Sequence, residues 1–155
     1  MSENQARRKS GDVPAALDAV MKLFLKTPLL QNGIGKQLAL LSFTGRRTGR
    51  KYTIPLSYSR DGNDVLLLTR KRRTWWRNFA DQPEVELRLA GQVVRGTAEA
   101  HVGTDLDVAD VVDYLETRPV DAKTYGATRL ADGSIDPESV RTFLPETVLV
   151  RVDLG

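Results

Sequence analysis

Residues 52–69, YTIPLSYSRDGNDVLLLT, decide the fold. Tyr52, Ile54, Leu56 and Tyr58 alternate with Thr53, Pro55, Ser57 and Ser59, a period of two that predicts a strand over Tyr52–Arg60. Asp61-Gly62-Asn63 reads as a tight hairpin turn, and Asp64–Thr69 as the strand that returns from it. Proline cannot donate to a sheet ladder, so Pro55 must sit with its nitrogen side unpaired, at an edge, a bulge or a ligand wall. Upstream, Leu38–Thr44 is short and apolar, as a buried strand is, and the turn Gly45–Gly49 joins it to Tyr52. The three strands are expected to form a meander.

Beyond this segment the strand signal recurs. Val85, Leu87 and Leu89 alternate with Glu84, Glu86 and Arg88, Gly91-Gln92 turns the chain, and Val93–His101 and Thr147–Leu154 complete a set of six strands. Helices fall between them. Val13–Lys26 carries Leu17, Val20, Met21, Phe24 and Leu25 on one face. Thr74 caps a short helix in which Trp75 and Phe79 pair at i, i+4 before Pro83 stops it. Thr104 and Asp107 resemble a capping box for a helix to Arg118. Asp132-Gly133 is a turn and Asp136-Pro137 opens another short helix, in a segment, 119–146, that is otherwise poorly determined. The pattern is α+β, a six-stranded antiparallel barrel with flanking helices.

The 155 residues suit one domain over 13–155, preceded by a basic arm at 1–12. There is no Cys and a single His, which excludes disulfides, thiolate ligands and His-rich metal sites. His101 reads as a surface residue at a strand end, and no metal site is expected. No G-x-G-x-x-G or P-loop pattern occurs. No apolar run approaches the roughly 20 residues that span a bilayer, and the N-terminus lacks a secretory pattern. The expected location is the cytoplasm, with peripheral membrane contact through the N-terminal helix as the sharper alternative.

The net charge of +3 conceals a division. Residues 1–80 hold 16 Lys and Arg against 5 Asp and Glu, whereas residues 81–155 hold 7 against 15. Two basic clusters flank predicted strands: Arg46, Arg47, Arg50 and Lys51 around the first turn, and Arg70, Lys71, Arg72 and Arg73 after the third strand. In a meander these two points lie at one end of the sheet, so the clusters define a candidate anion pocket. Glycines on either side of the first cluster let backbone N–H groups converge, and arginine offers a planar fork to phosphate or carboxylate. Trp75 and Asn78 follow directly. A Trp near an anion site can face a flat ring, and Asn78 has both an acceptor and a donor.

The run Leu41-Ser42-Phe43-Thr44-Gly45-Arg46-Arg47-Thr48-Gly49, then Pro55-Leu56, Asp61-Gly62, Trp75-x-x-Asn78-Phe79 and Pro83-x-Val85-x-Leu87, resembles the deazaflavin-dependent nitroreductase family. The resemblance covers residues 38–101. It implies a split β-barrel, related in fold to pyridoxamine-phosphate oxidases, that binds coenzyme F(420), an 8-hydroxy-5-deazaflavin with a phosphate and an oligoglutamate tail. On this reading Arg46, Arg47 and Thr48 hold the anionic tail and phosphate, with Arg50, Arg70 and Lys71 adding charge at the same end. Pro55 and Leu56 line the ring, and Trp75 and Asn78 occupy the family's Trp and Asn positions. Tyr52 stands where many relatives place a basic or polar residue. Arg70–Arg73 is a compact basic loop where relatives have a longer Gly-containing one. Tyr114 and Tyr125 are the tyrosines left for a substrate pocket.

The resemblance implies a reductase that passes a hydride from the deazaflavin to a quinone, a nitroaromatic or an activated alkene, with the cofactor carrying the chemistry. No residue is assigned as catalytic. FMN is the runner-up cofactor, and a carrier of FMN, haem or another tetrapyrrole without turnover is the alternative on the same fold. Nucleic-acid binding is not expected, because the aromatics lie in one Trp-Trp step rather than along a strand platform. The partner is a small-molecule electron acceptor. Split-barrel relatives are commonly homodimers, whereas an N-terminal helix covering the open face would leave a monomer.

Overall fold

The computed structural model describes residues 38–155, and the expected basic arm and N-terminal helix Val13–Lys26 lie outside them. Seven strands form one sheet: β1 (Leu38–Thr44), β2 (Lys51–Ser57), β3 (Ser59–Asp61), β4 (Asp64–Arg70), β5 (Glu84–Leu89), β6 (Gln92–Val102) and β7 (Thr147–Asp153). Their order is β2-β1-β5-β6-β7-β4-β3, and each neighbouring pair is antiparallel. Three α-helices accompany the sheet, α1 (Val108–Glu116), α2 (Pro119–Tyr125) and α3 (Pro137–Phe143), as does a 3-10 helix over Thr74–Phe79. The architecture is the expected α+β one, a curled antiparallel sheet with flanking helices, but the described residues form seven strands instead of six.

The extra strand arises because Tyr52–Arg60 is not continuous. It breaks at Tyr58, which is buried. Up to Ser57 the chain pairs with β1, and from Ser59 it pairs with β4, so one residue carries it from one edge of the sheet to the other. The Tyr58 ring is enclosed in the barrel core while the serines on either side pair with different strands. The expected meander is therefore absent: β4 pairs with β3 and β7, not with β2. Pro55 is accommodated because β2 is a terminal strand, with one side free of ladder bonds. Four antiparallel steps separate β1 from β4, so both point the same way, and both basic clusters still fall at one end of the sheet.

The sheet curls around an apolar interior. Leu41 and Phe43 of β1, Val65 and Leu67 of β4, Leu87 of β5 and Val150 of β7 pack together with Ile54 and Leu56 of β2, so the two edges share one core. Gly96 permits the curl. A Cβ there would run into the Asp153 carbonyl oxygen, at the point where β6 passes from β5 to β7. β4 is buried on both faces. Its Leu66 and Leu68 point outward against Val111, Tyr114 and Leu115 of α1 and Val140 of α3. That second layer explains the unbroken Val65–Leu68 run, whereas β5 alternates because its outer face meets solvent.

Asp107, not Thr104, caps α1, accepting from the Ala109 N–H at 3.0 Å; a 3-10 turn over Gly103–Asp105 occupies the expected capping-box start. Residues 119–146 hold two α-helices and a short bridge between Arg129 and Ile135. Pro119 and Pro137 each open a helix, and Asp136 caps α3 through the Glu138 N–H. Among the described residues no helix is long and apolar enough to cross a membrane.

Candidate functional site

The turn between β1 and β2 is held in a single shape. The Gly45 N–H donates to the Arg50 carbonyl at 2.7 Å, and the Gly49 N–H to the Gly45 carbonyl at 2.9 Å. Gly49 has φ +68, a left-handed conformation that a side chain would resist. Gly45 is needed for space. A Cβ there would stand 2.7 Å from Cε2 of Tyr52 and 2.9 Å from Oγ1 of Thr48. The Tyr52 ring thus lies against the turn, stacked on Phe43 with ring centres 5.6 Å apart. The backbone N–H groups of Arg47 and Thr48 find no acceptor among the described residues.

The 3-10 helix Thr74–Phe79 faces this turn. Three residues per turn stack Thr74 over Arg77, Trp75 over Asn78 and Trp76 over Phe79. The first two rows line a cavity, while Phe79 plugs the core and Trp76 packs beside it. Trp75 meets Phe79 edge-on at 5.7 Å and Phe43 at 6.3 Å, forming one aromatic wall. Asn78 bridges the two elements: its Oδ1 accepts the Arg46 N–H at 2.9 Å, and its Nδ2 donates to the Trp75 carbonyl at 2.8 Å.

The cavity encloses about 510 Å³, within the usual range for small-molecule sites. Phe43, Tyr52 and Trp75 supply apolar surface, and Arg46, Arg47 and Arg77 supply three positive charges with no carboxylate in the lining. None of these arginines pairs with an acid among the described residues. An anion entering here would meet guanidinium groups and the Thr48 hydroxyl, on a turn that has two N–H groups unpaired among the described residues.

Of the sequence-based candidates, Arg46, Arg47, Thr48, Trp75 and Asn78 come together in this cavity. Arg50 is exposed on the same turn but not in the lining. Pro55 and Leu56 are half-buried on β2, and Leu56 packs against the barrel core. Arg70 is committed elsewhere: its guanidinium lies 4.6 Å over the Tyr125 ring, and its Nη2 donates to the Thr124 carbonyl at 3.0 Å. Lys71 is exposed, with its N–H on the Glu146 carbonyl. Arg77, Tyr52 and Phe43 line the cavity without having been singled out as site residues. Reading Trp75–Phe79 with a period of three instead of four would have found Arg77.

Tyr114 and Tyr125 lie away from the cavity, in the helical layer. Burial, reinforced by the Asp121 charge, pushes the Tyr114 hydroxyl far up, and that hydroxyl donates to Asp121 Oδ2 at 3.3 Å. Burial also pushes Tyr125 up to about 12, against the opposing pull of Arg70. Asp121 is raised by burial, partly offset by its Tyr114 hydrogen bond, by Arg118 and by Ser57.

Comparison with known proteins places this geometry. The family model of the F(420)H(2)-dependent quinone reductases matches residues 25–123. The chain belongs to that family. Its cofactor is coenzyme F(420), and the resemblance carried by Leu41–Leu87 holds. Among solved structures, a protein of unknown function from Agrobacterium tumefaciens superposes with a TM-score of 0.55 at 18% identity, over 77% of this chain and 49% of that one. This chain therefore spans about half the length of that protein. A pyridoxamine 5′-phosphate oxidase-related, FMN-binding protein from Nostoc punctiforme gives 0.53 at 14% identity, over 92% and 82%. General stress protein 26 of Bacillus anthracis gives 0.51 at 16%, over 86% and 89%. At these identities the likeness is one of fold.

Proposed function

We propose that this chain is a coenzyme F(420)-dependent reductase that seats the anionic part of its cofactor on the Gly45–Arg50 turn and reduces a quinone, with nitroaromatics and activated alkenes as further acceptors. The observation that carries the reading is the donor set of one cavity: three guanidinium groups and two unpaired backbone N–H groups beside an aromatic wall. That set matches a group with a flat ring and a phosphate-bearing, carboxylate-rich tail. The bound deazaflavin would supply the hydride.

The protein's own part is binding and orientation. Arg46, Arg47 and Arg77 would neutralise the phosphate and tail, while the Arg47 and Thr48 N–H groups fix an oxygen in place. Trp75, Tyr52 and Phe43 offer apolar surface that excludes water from one side of a planar group. Within the lining, the hydroxyls of Thr48, Tyr52 and Thr74 are the oxygen-borne protons available to an acceptor.

Titrating the protein with coenzyme F(420) and with FMN, followed by fluorescence, tests the cofactor. Tight binding of the first and weak binding of the second is expected. Equal affinity, or preference for FMN, would overturn the reading. Oxidation of reduced coenzyme F(420) on adding a quinone then separates a reductase from a carrier.

A further inference from the structure

We propose that Asn78 is a positioning residue that clamps the arginine turn to the indole-bearing helix, so that the anion cradle and the aromatic wall form one unit. This rests on the cofactor reading above. Both ends of the Asn78 amide are already occupied by the protein. Its Oδ1 takes the Arg46 N–H at 2.9 Å, across 32 residues of sequence, and its Nδ2 gives to the Trp75 carbonyl at 2.8 Å. One N–H and one lone pair stay free, and the clamp works through the two that are used.

Arg46 is exposed, so water could satisfy its N–H, and the bond is not there to rescue a buried donor. What it does is fix where the turn sits. With the Arg46 N–H turned to Asn78, the next two N–H groups, of Arg47 and Thr48, are left without acceptors, on a turn whose two residues line the cavity. At the other end, the Trp75 bond closes i to i+3 within the 3-10 helix and holds Trp75 and Asn78 in one row facing the cavity. A side-chain amide accepts through its oxygen and donates through its nitrogen, which suits it to join two backbone groups of opposite kind. That is a physical reason for the spacing Trp75-x-x-Asn78-Phe79, in which Phe79 anchors the helix and Asn78 ties it to the turn.

The test uses the full chain, with inorganic pyrophosphate titrated by calorimetry and amide hydrogen exchange followed by NMR. In Asn78→Ala, pyrophosphate should bind about 5- to 10-fold more weakly, as for one lost net hydrogen bond. The Arg46 amide should also lose its protection. In an Arg46→Ala, Arg47→Ala background, which keeps the backbone N–H groups but removes the guanidinium groups that the clamp places, the same change should cost less than it does in the wild-type chain. Fully additive losses would mean that the clamp places neither guanidinium group and would overturn the assignment. Unchanged exchange at Arg46 would do the same. Asn78→Asp keeps the acceptor and loses the donor, so Arg46 must stay protected in it, and loss of protection there counts equally against the clamp. A wild-type chain that takes up no pyrophosphate would sink the cradle, and this proposal with it.

Discussion

The two basic stretches of this chain look equivalent on paper and do different work. Arg46–Lys51 decorates a turn whose backbone is pinned at Gly45, Gly49 and Asn78, which leaves Arg46 and Arg47 facing a cavity. Arg70–Arg73 begins with a side chain laid on Tyr125 and bonded to Thr124, and its backbone is tied to Glu146. Both lie at one end of the sheet. Charge density alone does not make an anion site. The charges must also face a cavity, as Arg46 and Arg47 do and the exposed Arg72 and Arg73 do not.

Removing the free charges should have the largest effect. Arg46→Ala with Arg47→Ala is expected to weaken coenzyme F(420) binding by about 3 kcal/mol, roughly a hundred-fold, on the scale of lost charge-assisted contacts. The matching pair Arg72→Ala and Arg73→Ala should change it by less than about three-fold, as exposed charges outside a cavity do. Equal losses in a fluorescence titration would erase the distinction between the clusters.

Gly45→Ala sharpens the contrast from the backbone side. The added methyl meets the Tyr52 ring at 2.7 Å, so a stability loss of about 1–3 kcal/mol is expected from denaturant melts, with weakened cofactor binding alongside. Arg70→Ala should do the reverse. It forfeits the contact with Tyr125, for about 0.5–1 kcal/mol of stability, and leaves cofactor affinity nearly unchanged.

The smallest effect concerns the layer that holds Arg70. Asp121 has its folded-state pKa raised above the ordinary value of 3.8 by burial. A raised carboxylate favours the protonated form in the folded protein, so its contribution is present below the ordinary value and is lost as pH climbs through the raised one. Asp121→Asn should therefore gain slightly in thermal stability at neutral pH, with the gain fading in acid. A gain that grows in acid would contradict the shift.

Much of this was legible in the chain. Alternation in Glu84–Leu89 and the apolar run Leu38–Thr44 mark strands that the structure reproduces, because each has one environment per face. Tyr52–Arg60 misled because its alternation continues through Tyr58 while its pairing partner changes, and period says nothing about which strand is alongside. Arg70 misled for another reason. Its fate is set by Thr124 and Tyr125, more than 50 residues on, and no local pattern reports that contact. Arg77 was hidden by a helix type, since a 3-10 turn moves it onto the row of Thr74.

Tyr58 joins the outermost strands of a seven-strand sheet with a single residue between them. Consecutive Cα atoms are about 3.8 Å apart, so the rims of the sheet cannot separate without breaking the chain or melting a strand. The sheet is a hoop closed by one rivet. The arginine turn opens at the other end of β2 from this link, so the strand that closes the hoop at one end carries the cavity's Tyr52 at the other.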